Sequence, residues 1–177
     1  SIVLAGKMDS TTVENCILED IEISGKDRVG GLIGEGAHVN VSKVAVSGVV
    51  TGESSVGGLV GRLQDGSLDN VVNKASVTGK SAVGGIAGGF AITVSGDAAA
   101  EAGFLRDAMN YGSVTGVSNV GGVVASLSAV KADRVGNYGT VTADEGVTSN
   151  VGGVFAEASK STVNEVFNMA KITAKKA

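Results

Sequence analysis

The chain has 177 residues, of which 28 are glycine and none is proline; the glycine share is more than twice the ordinary 7% or so. Hydrophobic residues reach 43%, which argues against a disordered chain, and the missing proline excludes collagen and Gly/Pro linkers. Fourteen basic and eighteen acidic residues give a net charge of −4 without a basic run, so no nucleic-acid partner is expected.

Other function classes fall away quickly. No apolar stretch is long enough to span a bilayer, so no membrane insertion is expected. The start at Ser1 lacks a charged and apolar leader and reads as a slice of something longer. A single cysteine, Cys16, rules out an internal disulfide framework. A single histidine, His38, rules out a paired-His zinc site. The six aromatics are Phe90, Phe104, Phe155, Phe167, Tyr111 and Tyr138. The core must therefore be Val, Ile, Leu and Ala.

Along the chain, a truncated copy comes first: Leu4-Ala5-Gly6-Lys7-Met8 matches Leu59-Val60-Gly61-Arg62-Leu63. Five full blocks follow, each Val-Gly-Gly plus an apolar pair. Their glycines are Gly30 and Gly31, Gly57 and Gly58, Gly84 and Gly85, Gly121 and Gly122, and Gly152 and Gly153. Measured at Leu4, Leu32, Leu59, Ile86, Val123 and Val154, the periods are 28, 27, 27, 37 and 31 residues. A second block recurs inside each period, with Ile23, Val50, Val77, Val114, Val141 and Ile172 at equivalent positions. Internal repetition of this length signals a repeat architecture.

Within a period the apolar residues alternate over short segments bounded by glycine or small polar residues, the pattern of strands. Helical spacing is absent except for one conceivable turn at residues 98–101. These features predict an all-β fold, a right-handed parallel β-helix (β-solenoid) of about six coils, as one module over residues 1–177. Coils start near residues 4, 32, 59, 86, 123 and 154. Parallel crossovers favour the right hand, and strand spacing makes six coils a rod of roughly 30 Å.

Stacking the repeats generates columns. The Ile23-to-Ile172 set and Val29, Val56, Val83, Val120 and Val151 read as inward ladders. Asn73, Asn110, Asn137 and Asn168 form a polar column whose amides can hydrogen-bond from coil to coil; Leu18 and Val46 occupy that column in the first two coils. The glycine pairs suit a corner where backbones approach closely or φ turns positive.

The stretch Asn110-Tyr111-Gly112-Ser113-Val114-Thr115-Gly116, running on to Asn119-Val120-Gly121-Gly122-Val123-Val124, resembles the GLUG repeat. That repeat occurs in bacterial surface adhesins and in non-catalytic N-terminal regions of IgA1-specific metallopeptidases. The resemblance implies a secreted or cell-surface bacterial protein, a β-helical display region, and other domains of the same chain as neighbours. It does not imply peptidase activity, because that zinc motif needs two histidines and a glutamate.

Three candidate sites remain. A charged column holds Lys43, Asn70, Asp107, Arg134 and Glu165, beside Asp69, Arg106 and Asp133. Its signs alternate, as a ladder that avoids like-charge stacking requires; the alternative is a carbohydrate-active or carbohydrate-binding β-helix using the Asp107/Asp133/Arg134 face. Two insertions, near residues 95–104 and 143–147, carry Asp97, Glu101, Asp144 and Glu145. They are candidate partner-binding loops, without the spacing of a calcium site. Tyr111 and Tyr138 align on adjacent coils, placed to stack on each other or on a sugar.

Ser76/Thr78, Ser113/Thr115 and Thr140/Thr142 read as a solvated strand face. Cys16 reads as a small core residue and His38 as a solvated turn residue. The reading is a non-catalytic display or adhesion module with no metal or cofactor, and a host glycan or glycoprotein as the partner class.

Overall fold

The computed structural model describes residues 4–94, 103–144 and 150–175. Those residues are strand and turn throughout, wound as six stacked coils. The first coil holds Ala5–Asp9 and Thr12–Ser24; the second, Asp27–Gly30 and the long Ile33–Thr51. The third holds Ser54–Gly57, Val60–Asn73 and Ser76–Thr78. From the fourth coil onward each turn has four strands, beginning at Ser81–Gly84, Ser118–Gly121 and Val151–Gly152.

Every pairing is parallel, coil to next coil, in a 14-stranded sheet and a 5-stranded sheet. The columns read from the repeat are the pairs observed: Val50 with Val77, Val77 with Val114, Val114 with Val141, and Val29 with Val56. The aliphatic core is one coil wide. Leu32, Leu59, Ile86 and Val123 are 0% exposed, as are Val56, Val83 and Val120. Ile172 keeps its place in the column, paired with Val141, and is 43% exposed on the sixth coil.

The polar column is built as an amide ladder. Asn73 Nδ2 donates to Asn110 Oδ1, Asn110 Nδ2 to Asn137 Oδ1 and Asn137 Nδ2 to Asn168 Oδ1, each at 2.8 Å. Each Nδ2 also donates to the carbonyl two residues on, at 2.8–2.9 Å. No buried side-chain polar atom among the described residues lacks a partner.

Of the two alternatives for the glycine pairs, close approach is the one observed. Among the described residues the glycines in the left-handed region are Gly48 and Gly66, so Gly30, Gly31, Gly57, Gly58 and their equivalents stay outside it. What they lack is room. A Cβ on Gly30 would lie 2.6 Å from the Leu59 carbonyl oxygen, and one on Gly122 would lie 2.6 Å from Asn137 Cγ. In each pair the first glycine ends a short strand, as Gly30 and Gly57 do. The second forms the bend that follows, as at Gly31 and Gly58. Gly31 N–H donates to the Gly58 carbonyl and Gly58 N–H to that of Gly85, both at 3.0 Å. A side chain on Gly31 would run into that same Gly58 carbonyl, and one on Gly58 into the Asn73 amide.

The left-handed positions lie elsewhere and are mostly not glycine. Arg28, Ser55, Ala82 and Asn119, just before the inward valines, have φ of 51° to 54°. A second such column is Asn15, Lys43, Asn70, Asp107, Arg134 and Glu165, with φ of 51° to 57°. His38 and Asp65 belong to a third. Each coil turns at these residues, which explains the Asn and Asp enrichment, since both tolerate that region better than most.

Candidate functional site

The charged column lies on one outer face, carried by Val60–Asn73, Phe104–Asn110, Lys131–Asn137 and Thr162–Asn168. Strand register puts Asp69, Arg106, Asp133 and Asn164 in line. Asp107, Arg134 and Glu165 form the adjacent left-handed corner.

Arg106 donates from Nε and Nη2 to Asp69 at 3.2 and 3.0 Å, and its guanidinium lies 4.4 Å from the Phe104 ring centroid. Arg134 grips Asp107 through Nε at 2.6 Å and Nη2 at 3.1 Å, and its Nη1 donates to Asp133. Asn164 Nδ2 donates to the other Asp133 oxygen at 2.7 Å.

The electrostatics at Asp107 opposes a general-acid role for that residue. The hydrogen bonds from Arg134 hold the Asp107 carboxyl below the usual carboxylate range, against the opposing effect of desolvation. A glycosidic general acid needs a carboxyl raised toward neutrality. Asp107 is displaced the other way, with both oxygens engaged. Arg106 and Arg134 are in turn held protonated, chiefly by hydrogen bonds to Asp69 and Asp107. The face is a zipper of alternating charges, and its side chains are a third to a half exposed.

Tyr111 and Tyr138 stack on each other, with centroids 4.9 Å apart and planes 4° from parallel. Phe167 meets Tyr138 edge-on at 5.4 Å and 73°. Its ring lies across Gly136, in the space a side chain there would fill. Three of the six aromatics thus share one outer corner. The tyrosine alignment was legible in the repeat; Phe167 was not, and its signal was the lone Gly136 in a column of Ala45, Val72 and Met109.

Asp97, Glu101 and Glu145 lie outside the described residues, and Asp144 is paired with Lys175 at 3.1 Å. Cys16 takes its expected column beside Val44 and Val71 but is only half-buried. His38 is exposed, between Asp9 at 3.7 Å and Asp65 at 3.8 Å. No cluster of three or more metal-ligating side chains occurs among the described residues.

No protein-family model matches the chain, and a comparison with curated proteins finds no significant match. A solved structure does resemble it: the one described as "a putative immunoglobulin A1 protease from Bacteroides ovatus", with a TM-score of 0.67 at 16% identity. The likeness covers 93% of this chain and 60% of that one. The chain therefore spans less than two thirds of its neighbour's length. At this identity the shared property is the fold. The GLUG resemblance rests on the repeat residues themselves.

Proposed function

We propose that this chain is a non-catalytic β-solenoid module of an extracellular bacterial protein, a stiff segment that holds other parts of that protein apart and on display. The observation carrying this reading is the closed charge zipper. Asp69, Asp107 and Asp133 each accept from a guanidinium, and Arg134 holds the Asp107 carboxyl below its ordinary range. The continuous one-coil core supports a mechanical role, because each coil is held only by its neighbours in a stacked repeat. The neighbour's description as an IgA1 protease favours an extracellular setting.

One observation favours a second contribution from the same module. The exposed rims of Tyr111 and Tyr138, 49% and 46% accessible, suit contact with a host glycan or glycoprotein. Incubation with polysaccharides and a glycan array tests both readings. The expected results are no release of reducing ends, and glycan retention, where seen, that is lost in Tyr111→Ala and Tyr138→Ala. Turnover that disappears in Asp107→Asn or Asp133→Asn overturns the non-catalytic reading.

A further inference from the structure

The two sheets meet along a seam that crosses the coils. On one side stand the left-handed corners Arg28, Ser55, Ala82 and Asn119. On the other runs the outward column Lys7, Glu35, Arg62, Gly89, Ser126 and Glu157, one residue per coil. Backbone closes the floor. A Cβ on Gly34 would lie 2.6 Å from the Arg28 carbonyl oxygen, and one on Gly88 would lie 2.6 Å from the Ser55 carbonyl carbon. Residues seven apart in the chain thus face each other across the seam. On the second coil Arg28 spans it to Glu35 at 2.7 Å, and on the sixth Asn150 spans it to Glu157 at 2.8 Å.

The central coils leave the seam open. The facing pair on the fourth coil is Ala82 and Gly89, neither with a side chain that can reach across. The gap is a cavity of about 210 Å³ whose lining includes Ser55, Arg62, Ala82, Gly89 and Ser126. Of the four arginines, Arg28, Arg106 and Arg134 are each closed on a carboxylate, Glu35, Asp69 and Asp107. Arg62 has no such partner among the described residues. Its neighbour Glu35 is taken by Arg28, and its other neighbour in the column is Gly89. Arg62 Cγ lies 3.9 Å from where a Gly89 Cβ would sit, so the exposed guanidinium stands at the edge of the gap.

We infer that this gap binds one acidic sugar residue, with its carboxylate on Arg62 and its ring over Gly89. A guanidinium is a planar fork that fits a carboxylate through two parallel hydrogen bonds. Ser55 and Ser126, both half-buried, supply hydroxyls that donate and accept, as the hydroxyls of a sugar require. Gly89 lets a ring approach the backbone. The volume lies below the roughly 300–1,000 Å³ of sites for drug-sized ligands, which suits a single ring. A uronate and a sialate share the carboxylate that this chemistry selects. The seam is carried by other strands than Tyr111 and Tyr138, and its recognition is ionic where theirs is stacking.

Calorimetric titration of the whole chain with sialyllactose, a glucuronate-bearing disaccharide and neutral lactose tests the inference. At least one acidic probe is expected to bind, which of the two telling sialate from uronate, and lactose is not. Affinity should fall as salt rises. Arg62→Gln should weaken binding about tenfold or more. Lys131→Gln, which removes the same charge from another strand, should leave it unchanged. Gly89→Glu fills the gap and gives Arg62 the kind of partner that Arg28 has in Glu35. It should abolish binding without lowering the melting midpoint, which separates lost binding from lost fold. Failure of both acidic probes to bind the folded protein overturns the inference, as does lactose or inorganic sulfate binding as tightly as they do. Binding that survives Arg62→Gln overturns it too; if that binding disappears in Tyr111→Ala, it belongs to the tyrosine corner.

Discussion

Gly122 and Asn137 share one space: a Cβ on Gly122 would lie 2.6 Å from both Cγ and Nδ2 of Asn137. The second glycine of the pair is thus the floor on which the amide ladder sits. The same holds for Gly58 under Asn73, Gly85 under Asn110 and Gly153 under Asn168. Gly31 keeps the role one coil earlier, where the column holds Val46: a Cβ there would lie 3.0 Å from Val46 Cγ1. Gly122→Ala should cost about 2–4 kcal/mol, overpacking combined with a displaced amide. Gly89→Ala, whose new Cβ would meet only Arg62 Cγ at 3.9 Å, should stay within about 0.5 kcal/mol of the parent. Urea unfolding of both variants measures the contrast.

The ladder predicts a gradient along the rod. Asn110 is 0% exposed and bonded to amides on both sides, so Asn110→Ala strands buried partners and should cost about 3 kcal/mol. Asn168 is part-buried and has an amide neighbour on one side only. Asn168→Ala should cost about 1 kcal/mol or less. Chemical denaturation that finds the two equal would contradict an end effect.

Two alanines five residues apart should respond to glycine with opposite signs. Ala82 has φ of 53°, where a Cβ is strained, so Ala82→Gly should stabilise by about 0.5–1 kcal/mol. Ala87 is a fully buried strand residue. Ala87→Gly should destabilise by about 1 kcal/mol. Thermal melts of the pair decide it.

Acid should loosen the rod. Arg134 lowers the Asp107 carboxyl. Burial alone would raise Asp65, but the Thr93 backbone N–H, the Thr93 hydroxyl and His38 bring it below its ordinary value. Both groups bind protons less readily folded than unfolded, where Asp titrates near about 3.9. Their stabilisation is therefore full well above that value and is lost as pH falls through the lower folded values. Melting midpoints from pH 7 to 3 should hold to about pH 5 and then decline, less steeply in Asp107→Asn.

A whole coil should be removable. Lys80 N–H bonds the Glu53 carbonyl as Glu53 N–H bonds that of Lys26, so deleting residues 53–79 joins equivalent points of neighbouring coils. The shortened chain should keep its β circular dichroism with a lower melting midpoint, since stability is roughly additive over repeats. Deleting only 20 residues breaks the register and should leave the chain unfolded.

The architecture was legible because a solenoid repeats in sequence what it repeats in space. Val50, Val77, Val114 and Val141 recur at the coil period, and that period is the pairing register. The amide ladder was legible for the same reason. The left-handed corners were hidden because Arg28, Ser55, Ala82 and Lys43 share no residue type, and backbone conformation there is imposed by the pairing on either side.

By itself, then, the sequence determined the coil count, the inward ladders and the asparagine column, all properties of periodicity. Only the tertiary structure decided that Arg134 closes on both Asp107 and Asp133, that Phe167 lies across Gly136, and that glycine pairs mark close packing rather than left-handed turns. Those depend on distances between side chains of neighbouring coils, which alignment orders but does not measure.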